Sequence, residues 1–166
     1  MSARIPVAER DALVAQYRDG HQAVLEAVAG ITEEALDRPP ATPDEWTARQ
    51  IVHHLADSET ISAYRLRRLI AEDDPLIEGY DEPRYARILF YDRRPIGPSL
   101  DALGAARATT LQILELLNED QWARTGRHSE SGPYGVETWL RIYAAHAHEH
   151  ADQIRQAIAT PTAGGG

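Results

Sequence analysis

Four stretches of the chain repeat their apolar residues with helical spacing, and proline-bearing connectors set them apart. That alternation restricts the fold most, because proline lacks the backbone N–H a continuing helix needs and clashes with the preceding turn. In the first stretch, Leu13, Tyr17, Val24 and Val28 recur at steps of four and seven up to Gly30, which predicts a helix over residues 7 to 29. The segment that follows carries Pro39, Pro40 and Pro43 and is read as a connector with one short turn from Thr32. Thr47 and Gln50 then form a capping-box pattern, with Trp46 and Ile51 at the positions of a hydrophobic staple. The second helix is expected to run from there to about residue 72.

A long connection with Pro75, Pro83, Pro95 and Pro98 comes next; PRYARILFY within it suits a short helix. Ser99 is the expected N-cap of a third helix, carried by Leu103, Ala106, Thr110, Leu114 and Leu117 to near Asp120. The fourth helix is placed at residues 135 to 159, stopped by Thr160-Pro161. No stretch has a convincing strand pattern. The expected architecture is therefore all-α: one four-helix-bundle domain over residues 1–160, with a long connection between the second and third long helices and a flexible tail at 161–166.

Composition narrows the chemistry. The 166 residues include no cysteine, which excludes thiolate ligands, disulfides and a cysteine nucleophile. Seventeen Lys and Arg against 26 Asp and Glu leave a net charge of −9, which opposes binding to a phosphate backbone, so no nucleic-acid partner is expected. No segment approaches the roughly 18 apolar residues of a membrane span, and the N-terminus has no apolar signal-type region. A cytoplasmic protein is the expectation.

The fourth helix contains His146, His148 and His150 within YAAHAHEHADQI. On a strand the three would face one way. Ala144, Ala145, Ala147 and Ala151 favour a helix instead, where each residue turns by roughly 100°. His146 and His150 then share the apolar stripe of Trp139, Tyr143 and Ile154, whereas His148 falls among Arg141, Asp152 and Arg155 on a solvated face. In QIVHHLADSE the same construction puts His54 at the edge of the stripe Ile51, Leu55, Ser58, Ser62 and leaves His53 behind it. His21 and His128 show no convergent pattern. Three imidazoles turned into an apolar core call for something to accept their lone pairs, and a divalent metal does so. His54, His146 and His150 are the candidate ligands.

WTARQIVHHLADSE followed by HAHEHADQI resembles the DinB/YfiT-like family of metal-binding four-helix bundles. The resemblance rests on Trp46, His54, Leu55 and Asp57 in the first motif and on His146, His150, Gln153 and Ile154 in the second; Glu149 stands where many relatives carry a further histidine. It implies up-down-down-up helix order, a three-His metal site, frequent dimerisation, and zinc, nickel, iron or manganese as the ion. It also implies a choice of activities, since relatives include thiol S-transferases that use bacillithiol or mycothiol, mycothiol-dependent isomerases, and stress-induced proteins of no stated reaction.

With no cysteine of its own, an S-transferase of this kind needs a low-molecular-weight thiol and an electrophilic small molecule as partners. That is the leading expectation, on a zinc or nickel centre. A metal-dependent hydrolase is the nearest alternative, though no His or Glu is uniquely placed as its general base, and a non-catalytic metal-binding stress protein is the third. Asp57 could orient a ligand ring, Gln153 could donate to a metal-bound oxygen or to its own helix neighbours, and Tyr143 and Trp139 fit the pocket wall. A di-iron carboxylate bundle is excluded, because no Glu precedes a His by three residues.

Overall fold

Each periodic stretch forms a helix in the computed structural model, which describes residues 4–40 and 42–159. The chain runs α1 (Val7–Val28), α2 (Glu33–Leu36), α3 (Ala48–Ala71), β1 (Leu76–Ile77), α4 (Glu82–Ile88), α5 (Gly97–Leu114), α6 (Glu119–Trp122), β2 (Thr125–His128), β3 (Gly132–Gly135) and α7 (Val136–Ala159). The tail expected at 161–166 lies outside the described residues.

Local chemistry explains the starts. Thr47 Oγ1 accepts from the Gln50 N–H while the Gln50 side chain accepts from the Thr47 N–H, so both halves of the capping box open α3. Thr32 caps α2 in the same manner through the Ala35 N–H. The start of α5 departs from expectation. It begins at Gly97 with Pro98 in its first turn and has no side-chain cap, because the Ser99 hydroxyl lies 2.7 Å from His53 Nδ1. That helix ends at Leu114, and Asn118 with Gln121 caps the separate turn α6.

Cross-helix hydrogen bonds give the directions. Along α1 and α7, Gln16 meets His148 and Ala23 meets Arg155, so the two run the same way. Along α3 and α5, His53 meets Ser99, Glu59 meets Arg107 and Arg67 meets Thr110, again in the same sense. Between α3 and α7 the order reverses: His54 lies by His150 and the Ser62 carbonyl accepts from Trp139 Nε1. His21 and Tyr17 of α1 meet Leu100 and Arg107 of α5, also reversed. The long helices are therefore up, down, down, up, which is the order the long α3–α5 connection permits.

That connection and the α6–α7 link hold a three-stranded sheet the sequence did not signal, with β1 parallel to β2 and β2 antiparallel to β3. Strands of two and four residues, rich in Gly and Pro, are too short to display period-two alternation. The sheet contributes Ile77 and Tyr134 to one core cluster with Leu66, Leu69, Trp139 and Leu140; Val24, Ile51, Leu55, Leu103 and Ile154 build the other.

Candidate metal centre

The triad sits on the antiparallel seam of α3 and α7. His54 is buried and His146 and His150 are half-buried; each offers one ring nitrogen, and these lie within 4.8 Å of one another. Ring centroids are 5.6 Å apart for His54–His146, 4.9 Å for His54–His150 and 4.5 Å for His146–His150. A tetrahedral zinc site with Zn–N bonds of about 2.0–2.1 Å places its nitrogens roughly 3.3 Å apart.

Protonation favours ligation. Burial pushes His54 and His146 down to about 3, reinforced for both by the field of His150. His150 is lowered as well, burial outweighing its hydrogen bond to Gln153. At neutral pH all three rings carry free lone pairs, as a metal site requires. His146 Nδ1 is buried without a hydrogen-bond partner, a loss that core histidines seldom tolerate. His150 Nδ1 lies 2.7 Å from Gln153 Oε1; an amide oxygen only accepts, so Nδ1 carries the proton and Nε2 is left for a ligand. The donor set fits a divalent ion that favours imidazole, and among the described residues no carboxylate joins the cluster.

Trp46 covers His54 at a centroid distance of 4.8 Å, and Tyr143 stands 5.5 Å from His146, so aromatic rings wall the site. Asp57 does not serve the triad: its carboxylate accepts from the Tyr91 hydroxyl. Two histidines depart from their expected settings. His53 is fully buried on the far side of α3, with Nδ1 on Ser99 and Nε2 on the Arg94 carbonyl. His148, expected in solvent, is half-buried with Nε2 2.9 Å from the Gln16 carbonyl of α1. Both follow from α3 and α7 each packing against two long neighbours, which one apolar stripe per helix does not anticipate. His21 bonds the Leu100 carbonyl and His128 lies on β2 beside Tyr134, both away from the triad.

A buried ion pair joins α3 to α5. Arg107 Nη1 lies 2.6 Å from Glu59 Oε2, both residues almost without exposure, and Tyr17 donates its hydroxyl to the other Glu59 oxygen. The guanidinium also donates to the Tyr17 carbonyl and lies over the Tyr17 ring. Glu59, Arg107 and Tyr17 come from three helices, so no local motif announced them.

An up-down-down-up bundle with three convergent neutral histidines on its α3–α7 seam defines a class of metal-binding helical proteins. This chain belongs to the DinB superfamily, whose profile matches residues 16–154. Among its relatives, a protein of Oceanobacillus iheyensis named "Putative metal-dependent hydrolase" is 37% identical over 109 residues, covering 66% of this chain and 63% of that protein. The match thus spans just under two thirds of that relative's length. A Bacillus cereus protein of the same name is 27% identical over 151 residues, covering 90% and 86%. The fold is similar to that of YfiT from Bacillus subtilis, described as "a probable metal-dependent hydrolase with an unusual four-helix bundle topology", with TM-score 0.87, 26% identity and coverage of 95% of this chain and 89% of that one.

Proposed function

We propose that this chain is a divalent-metal-dependent enzyme in which His54, His146 and His150 hold the ion, and that it transfers a low-molecular-weight thiol onto an electrophilic small molecule. The observation that carries the reading is the convergence of three neutral imidazoles with no carboxylate among them. A divalent ion there, zinc or nickel foremost, would bring the pKa of a coordinated thiol or water toward neutrality.

The chain's own residues supply the rest. Gln153 holds the His150 tautomer, and Trp46 and Tyr143 pack against the rings of His54 and His146. Asp57, the acid one turn from His54, accepts from the Tyr91 hydroxyl and is not part of the triad cluster. Thiol transfer needs no general base, because the ion alone favours the thiolate, and the absence of cysteine means the thiol arrives from outside.

Hydrolysis is the second reading, favoured by the names of the relatives. The two separate in one experiment: thiol consumption with an electrophile panel and ester cleavage without thiol, each with zinc, nickel, manganese and iron, in the wild type and His150→Ala. Metal-dependent thiol loss that disappears in His150→Ala supports transfer. Ester cleavage alone, with the same dependence on His150, replaces it with hydrolysis, and equal rates in both proteins remove both.

A further inference from the structure

Four arginines of the described chain are buried, and three of them have a carboxylate partner: Arg10 with Glu119, Arg49 with Asp37 and Glu33, and Arg107 with Glu59. The fourth, Arg65, has 9% of its surface exposed and no carboxylate within ion-pair distance among the described residues. Its guanidinium donates to the Glu78 carbonyl and, at 3.4 Å, to the Tyr143 hydroxyl, and lies 5.7 Å from the Tyr80 ring centroid. A buried cation satisfied only by neutral oxygens is expensive to keep, and a matching anion relieves that cost. Glu82 lies within its field but makes no ion pair with it.

A second buried polar group adjoins it. The Tyr80 hydroxyl is buried near Ser58 without a completed hydrogen bond. A guanidinium without a carboxylate and a buried phenol thus lie beside Tyr143, whose hydroxyl is 3.4 Å from Arg65 and whose ring centroid is 5.5 Å from that of His146. Tyr143 touches both Arg65 and the triad.

We propose that Arg65 and Tyr80 form an anchoring subsite for a carboxylate group of the small-molecule substrate, whose reactive atom is presented to the histidine triad. The planar fork of a guanidinium matches a carboxylate through two parallel N–H donors, and the phenol supplies a third. The proposal rests on the reading of the triad as the centre of a small-molecule site; it names the substrate class as carboxylate-bearing, a feature that triad chemistry alone does not require.

The test is calorimetric binding of succinate to the purified full chain at constant ionic strength, with succinamide as the neutral match. Arg65→Gln, Tyr80→Phe and His150→Ala are measured beside the wild type, with circular dichroism as the check on folding. Succinate should bind and succinamide should not. Arg65→Gln should weaken binding by about tenfold or more, and Tyr80→Phe, which deletes only the hydroxyl beside Ser58, by several-fold with an unchanged spectrum. His150→Ala should bind succinate as the wild type does. The subsite is overturned if the wild type does not bind succinate, if succinamide binds equally, if Tyr80→Phe is indistinguishable from wild type, or if His150→Ala alone abolishes binding. Should succinate bind as described while no thiol or ester is ever turned over, the catalytic reading fails and the carboxylate subsite stands.

Discussion

At the scale of single residues, the hydrogen bond from His150 to Gln153 is the contact that most directly prepares the triad. Without it the ring rotates and exchanges tautomers, and both freedoms compete with ligation. Gln153→Leu should lower zinc affinity about 10–100-fold while leaving the helix intact, as read by competition with a chromophoric chelator. Protonation sets a second expectation. His54 and His146 are depressed in the folded chain, to about 3, whereas an unfolded histidine titrates near 6.5. As pH falls below about 6.5 the unfolded chain takes up protons that the folded chain refuses, so the metal-free protein loses stability down to about pH 3. Between pH 7 and 5 the loss should be about 1–2 kcal/mol for each of the two rings, seen as a falling urea midpoint, and the double variant His54→Leu/His146→Leu should flatten the profile. The triad itself was readable from the sequence because 100° per residue separates His146 and His150 from His148. The settings of His53 and His148 were not, since each is decided by a helix remote in sequence.

At the scale of helices, α3 shows why one apolar stripe is an incomplete guide. It packs against α7 on one side and α5 on another, so Glu59, Arg65 and His53 are buried although their letters read as surface. Of these charges, Glu59 meets Arg107 across the bundle, whereas Arg65 meets the Glu78 carbonyl and the Tyr143 hydroxyl. The same crowding reverses an ordinary rule for glycine. Replacing a mid-helix Gly by Ala usually stabilises by about 1 kcal/mol. At Gly20 of α1, an added Cβ would lie 2.6 Å from Arg107 Nη2 and 2.8 Å from the Ala147 Cβ of α7. Gly20→Ala should therefore destabilise, by about 1–3 kcal/mol, as α1 is forced from α7 or the guanidinium from Glu59. Chemical denaturation decides the sign, and a stabilised variant would show that the helices yield freely. The α5 boundary has a related cause: Ser99 looks like an N-cap in isolation, and only the parallel packing of α5 on α3 shows that its hydroxyl belongs to His53.

At the scale of the whole molecule, up-down-down-up order brings together helices that are distant along the chain. The second and fourth long helices became neighbours only because the third could run parallel to the second, and that needed the long connection through β1 and α4. A metal held by His54 and His146, as proposed, would link residues 92 positions apart, counted as 146 − 54, and would brace the seam between α3 and α7. An ion that binds the folded chain and not the unfolded one stabilises by about 2.7 kcal/mol at a hundredfold excess over its Kd. At this chain length that corresponds to a rise in Tm of roughly 6–10 °C. The net charge of −9 complicates the measurement, because any divalent cation gathers diffusely around such a surface. Magnesium separates the two effects: it has the same charge but prefers oxygen ligands, so at matched ionic strength it should leave Tm nearly unchanged where zinc or nickel raises it. His150→Ala should lose the zinc response and keep the small magnesium one. Equal zinc shifts in the variant and the wild type would mean that the ion binds elsewhere and that α3 and α7 close without it.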